Sequence, residues 1–106
     1  MALTRNFRDT VRSRAQREPD FRLGLLKEAL KCIHTGDLET GRALLRNYIN
    51  ATMGFRALSH ATQIPSPSLQ RMFGPKGNPS AKNLFGVLAA LQKEEEVEVL
   101  LDFRAS

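Results

Sequence analysis

Two short helical runs separated by only three residues leave a chain few ways to fold. Between Gly54 and Phe73 the sequence predicts a helix over Phe55 to Thr62, a turn at Gln63-Ile64-Pro65 and a second helix ending near Phe73. Ser66-Pro67 marks the start of that second helix. Serine is a favoured N-cap, and proline, with no N–H to leave unpaired, suits the first helical position. Helices joined this tightly cross at a steep angle, so their contact point needs a small side chain, and Ser59 falls there. Leu58, Ile64, Leu69 and Phe73 are spaced to fill the wedge between these helices and the one behind them. Ser66, Ser68, Gln70 and Arg71 are left to face outward.

The flanking sequence reads as further short helices. Phe7, Val11 and Ala15 recur every four residues and predict an Arg-rich amphipathic helix over Thr4 to Gln16. Pro19-Asp20 interrupts it, with Asp20 as the expected cap of a helix running to about Thr35. That helix carries Phe21, Leu25, Leu26, Ala29, Leu30 and Ile33 on one face. Gly36 closes it as a left-handed C-cap. Asp37 opens a third helix to Met53, with Leu38, Leu45, Tyr48, Ile49 and Thr52 on one stripe and Arg42 and Arg46 one turn apart elsewhere. After the loop Gly74 to Pro79, Ser80 caps a helix from Ala81 to Gln92 whose buried side is expected to hold Leu84, Phe85, Val87, Leu88 and Leu91. Beyond the acidic cluster the period drops to two: Val97, Val99, Leu101 and Phe103 predict a half-buried strand over 96–104. A lone strand cannot satisfy its backbone groups, so it is expected to pair with a second copy across a two-fold axis, giving a homodimer.

The fold class is therefore mainly α with one C-terminal β-strand. The 106 residues make one domain: an Arg-rich N-terminal helix or arm (1–19), two support helices (20–53), a helix-turn-helix with its following helix (54–93) and the strand (96–104).

Charge is distributed unevenly. The net charge is +5, yet residues 40–93 contain Arg42, Arg46, Arg56, Arg71, Lys76, Lys82 and Lys93 and no Asp or Glu. The sign reverses after that, with Glu94, Glu95, Glu96, Glu98 and Asp102 against Arg104. An acid-free stretch lets a polyanion approach without like-charge repulsion, which points to nucleic acid. At the start of a reading helix, Ser reaches several base edges and Gln pairs well with adenine; Arg71 and the loop residue Lys76 suit phosphate. The candidate DNA-binding residues are Arg56, Ser66, Ser68, Gln70, Arg71, Lys76, Asn78 and Lys82.

From Leu44 to Phe103 the sequence resembles small bacterial lambda-repressor-like regulators, specifically the addiction-module antidote (HigA-like antitoxin) proteins. The resemblance is carried by Asn50-Ala51-Thr52-Met53-Gly54-Phe55, Pro65-Ser66, Ser68-Leu69, Arg71-Met72, Gly77-Asn78-Pro79-Ser80 and Asn83-Leu84. It implies a lambda-repressor-like helical domain that binds double-stranded DNA as a transcriptional repressor, with a small toxin protein as a further partner. It also implies base contacts at Ser66, Ser68 and Gln70 and backbone contacts at Lys76 and Asn78. The sequence departs from that pattern at Gln63, where glycine is frequent, and at Phe55, where some relatives carry a polar residue.

Other chemistries find little support. His34 and His60 are the only histidines and neither has a carboxylate or thiol placed for a triad, so no enzyme is expected. A single cysteine, Cys32, excludes an internal disulfide and a multi-cysteine zinc site, and is expected to be a buried structural thiol; no cofactor or metal is expected. Gly74-Pro75-Lys76-Gly77 matches the G-x-x-G loop of KH RNA-binding domains but lacks their sheet. No signal-like segment or apolar run long enough for a bilayer is present, so a cytoplasmic protein with no membrane partner is expected. The rival to DNA binding is a protein-interaction module that neutralises a toxin through the acidic strand or the Arg-rich first helix.

Overall fold

Caps and turn residues divide the chain into six helices in the computed structural model, which describes residues 5–105, with side chains from residue 10. They are α1 (Arg5–Arg17), α2 (Pro19–His34), α3 (Leu38–Ala51), α4 (Gly54–Thr62), α5 (Ser66–Met72) and α6 (Ala81–Glu95). Thr4 and the side chain of Phe7, both placed by the sequence in the first helix, lie outside the described residues.

Two of the expected caps form. The Asp37 carboxylate accepts from the Thr40 N–H, which also holds its carboxyl below the usual carboxylate range, and the Ser80 hydroxyl accepts from the Asn83 N–H. Gly36 ends α2 at φ 93°, open to glycine without steric cost. Asp20, in contrast, is not a cap. Pro19 occupies the first turn of α2, which moves the N-cap back to Glu18 and leaves Asp20 inside the helix.

α2 and α3 pack against each other, and α1 lies across both. α4 joins the α3 end of this layer and packs on α5 and α6. A single cluster runs through all of it: Leu26 and Ala29 from α2, Leu45, Tyr48 and Ile49 from α3, Leu58 from α4, Leu69 from α5, then Phe73 and the α6 row Leu84, Val87, Leu88 and Leu91. Each such leucine contributes about 1.5–3 kcal/mol by leaving water. Phe85 does not join this row and is 58% exposed, a correction to the sequence expectation. Successive helical residues turn by about 100°, and Phe85 falls to one side of the stripe set by Leu84, Leu88 and Leu91. Cys32 is half-buried rather than buried, and desolvation pushes its thiol pKa up, away from reactivity.

α6 runs three residues beyond the predicted Gln92 because Glu95 has partners. Arg22 donates to both Glu95 carboxylate oxygens at 2.9–3.0 Å, the Tyr48 hydroxyl donates at 2.7 Å, and the remaining Arg22 nitrogen Nη1 reaches the Ala15 carbonyl at 3.0 Å. One polar cluster thus ties α1, α2, α3 and α6. Burial by itself would raise the Glu95 carboxyl, but the Arg22 and Tyr48 hydrogen bonds outweigh it and hold it below the usual range. Burial, reinforced by Glu95, pushes the Tyr48 phenol up and keeps it protonated.

No strand forms among the described residues. Glu96 adopts a left-handed conformation (φ 58°), ends α6, and the chain beyond it is irregular. The strand expected over 96–104 needs a pairing edge, and a single copy of this helical chain offers none. Leu100, Leu101 and Phe103 are consequently 82%, 73% and 95% exposed.

Candidate nucleic-acid interface

The α4–α5 unit is built around Ser59. Its hydroxyl donates at 2.6 Å to the Ile64 carbonyl, so the small residue at the crossing also pins the turn. Gln63 sits at φ 61°, ψ 27°, the left-handed geometry this turn requires, and its side-chain amide donates back to the His60 carbonyl at 2.9 Å. Thr62 adds a hydroxyl bond to the Leu58 carbonyl. Leu58 and Leu69 are fully buried across the joint.

Ser66 is not the cap of α5. Pro65, with extended backbone at φ −57° and ψ 139°, takes that position and its carbonyl accepts from the Leu69 N–H. Proline has no side-chain acceptor, so the helix starts uncapped, and the Ser66 hydroxyl accepts from the Gln70 amide at 3.4 Å instead of being spent on the backbone. One turn on, the Arg71 guanidinium donates to the Ser68 hydroxyl at 3.2 Å. The buried Leu69 faces the core while Pro67, Gln70 and Arg71 are exposed. Four residues predicted as contacts thus form two hydrogen-bonded pairs on α5, Ser66 with Gln70 and Ser68 with Arg71.

The loop after α5 is held from behind. Arg42 on α3 donates to the carbonyl oxygens of Gly77 at 2.7 Å and Pro75 at 3.1 Å, fixing the segment that carries Lys76 and Asn78. Gly77 lies so close to the end of α5 that a Cβ there would collide with the carbonyl groups of Arg71 and Met72. Sequence reading placed Arg42 among general surface charge; its part as a brace rests on a contact between distant residues that no local pattern reveals.

An open cleft of about 790 Å³ runs beside α5, with Gln70, Arg71 and Lys76 on one wall and Arg46, Asn50 and Phe55 of α3 and α4 on the other. Asn78 is exposed on the same loop but does not line the cleft. Arg56 and Lys82 are exposed in the first turns of α4 and α6 and stand outside its walls. Phe55, nine-tenths buried, supplies packing where a polar contact was in question. Arg46 and Asn50 are functional candidates that the sequence reading did not single out as a site. Their i, i+4 spacing, continuing Arg42, was the available signal.

Among the described residues, no group of His, Cys, Asp and Glu could hold a metal ion, and no helix is long and apolar enough to cross a membrane. No family model matches the chain, nor does any curated protein or solved structure.

Proposed function

We propose that this chain is a sequence-specific, double-stranded DNA-binding regulator acting as a repressor, with α4 and α5 as a helix-turn-helix in a lambda-repressor-like domain. The observation that carries the reading is the cleft: the polar surface of α5 borders an open, acid-free groove walled by Arg46, Arg71 and Lys76. Ser66, Ser68 and Gln70 read base edges, while Arg71, Lys76 and Asn78 hold phosphates, with Arg56 and Lys82 as outlying charges. The exposed tail pairs with a second copy as a two-stranded ribbon, which presents two α5 helices to a two-fold-symmetric site about 34 Å apart, one helical turn.

Selection of bound duplexes from a random pool tests this. An inverted repeat with half-sites one turn apart is the expected product, and Gln70→Ala should relax the choice at one base position per half-site. A pool that never enriches contradicts a sequence-specific regulator.

The resemblance to addiction-module antidotes adds a second reading, in which the chain neutralises a small toxin. The apolar tail flanked by Glu94, Glu96, Glu98 and Asp102 supports it, since a basic partner would match its charge. Co-purification with the product of an adjacent short gene tests that role.

A further inference from the structure

The cleft beside α5 does not end at α3. A second cleft of about 530 Å³ shares Arg46, Asn50, Gly74 and Pro75 with it and continues to Arg12 on α1. The two form one trough across three helices. Arg42, already donating to the Gly77 and Pro75 carbonyls, lines it together with four further cations, Arg12, Arg46, Arg71 and Lys76, and the only acid on its walls is Glu39, at the α1 end. The ion pairs of the described residues, Arg14–Glu18 and Arg22–Glu95, take none of these four cations, and the Arg71 guanidinium donates to the Ser68 hydroxyl. Asn50 and Gln70 add neutral hydrogen-bond donors to its walls.

We propose that this trough carries the sugar–phosphate backbone of the duplex away from the reading helix, so that Arg46 and Asn50 on α3 and Arg12 on α1 are backbone contacts. The proposal rests on the DNA-binding reading above and gives the Arg-rich first helix a place in it. Guanidiniums that no described residue pairs, set around an open groove, are matched by an extended anionic chain, and a chain continuous with the DNA at α5 would meet these four cations at once. These contacts position the duplex and carry no sequence information.

The test is fluorescence anisotropy with a labelled 30-base-pair duplex of mixed sequence, titrated at several KCl concentrations. Each lost phosphate contact lowers the slope of log affinity against log salt by about 0.9. Arg12→Gln and Arg46→Gln together should therefore lower it by nearly two, Arg46→Lys should keep the wild-type slope, and Lys27→Gln, exposed on α2 outside the trough, should change nothing. Arg12→Gln alone alters an exposed side chain and reads the α1 contact even where the double variant is less stable. Wild-type binding with unchanged slopes in Arg12→Gln and Arg46→Gln overturns the trough and leaves the reading helix standing. Absence of wild-type binding overturns both. Complete displacement of the duplex by polyglutamate at equal charge also overturns it, marking a general polyanion surface.

Discussion

Arg42 and Gly77, 35 residues apart, are joined by a 2.7 Å hydrogen bond from the guanidinium Nη1 to the carbonyl oxygen. With the second bond to Pro75, it makes α3 the support for a loop that has no regular structure of its own. Arg42→Met should lower stability by about 1.5 kcal/mol, the lower end for hydrogen bonds from a charged donor, since its Nε is already buried without a partner. Amide exchange over residues 74–79 should quicken at the same time. Unchanged exchange would mean that the loop holds its shape without the brace. Gly77→Ala should disturb the same segment, because its Cβ meets backbone that cannot move aside.

Glu95 offers a test by pH. The Arg22–Glu95 pair keeps 19% and 13% side-chain exposure, so Glu95→Gln should cost about 2 kcal/mol at neutral pH, below the 3–5 typical when a fully buried pair is broken. The folded carboxyl titrates below its unfolded value of about 4.3. Its stabilisation is therefore complete above that pH and is lost as pH falls through the folded value. Denaturant melts from pH 7 to pH 3 should show the gap between wild type and variant narrowing only below about pH 4. A gap that stays constant down to pH 3 would contradict the assignment.

The exposed tail predicts the state of association. Leu100, Leu101 and Phe103 in water are an aggregation liability unless covered, and the period of two through Val97, Val99, Leu101 and Phe103 suits strand pairing. Sedimentation should find a dimer, and Leu101→Asp with Phe103→Asp should give a folded monomer. A wild-type monomer at high concentration would remove the two-fold DNA site from the account.

What the sequence made legible was local. Asp37, Ser80 and Gly36 act within one turn of where they stand, and the turn around Gln63 follows from Ser59 and the spacing of Leu58, Ile64 and Leu69. Two cap readings failed because a neighbouring proline shifted the helix start: Pro19 in the first turn of α2 moved the cap back to Glu18, and Pro65 took the place of Ser66 at α5. Phe85 failed because one residue of helical phase separates a buried from an exposed position. The Arg22–Tyr48–Glu95 cluster and the Arg42 brace join residues 33 to 73 positions apart, and no periodicity encodes such pairs. The strand expected over 96–104 does not form among the described residues, because a period of two supplies no pairing edge by itself. The polar surface of α5 was visible in the sequence, whereas its continuation past Arg46 to Arg12 emerges only when α1, α3 and the loop are brought together.

The central claim, duplex DNA on α5 and its cleft, is met most directly by binding of a labelled duplex at 50 and 200 mM salt. A protein making about six phosphate contacts should bind at the lower salt and lose roughly a thousandfold in affinity at the higher. Arg71→Ala should weaken binding at both. No binding at 50 mM salt, or binding that ignores salt, would contradict the account.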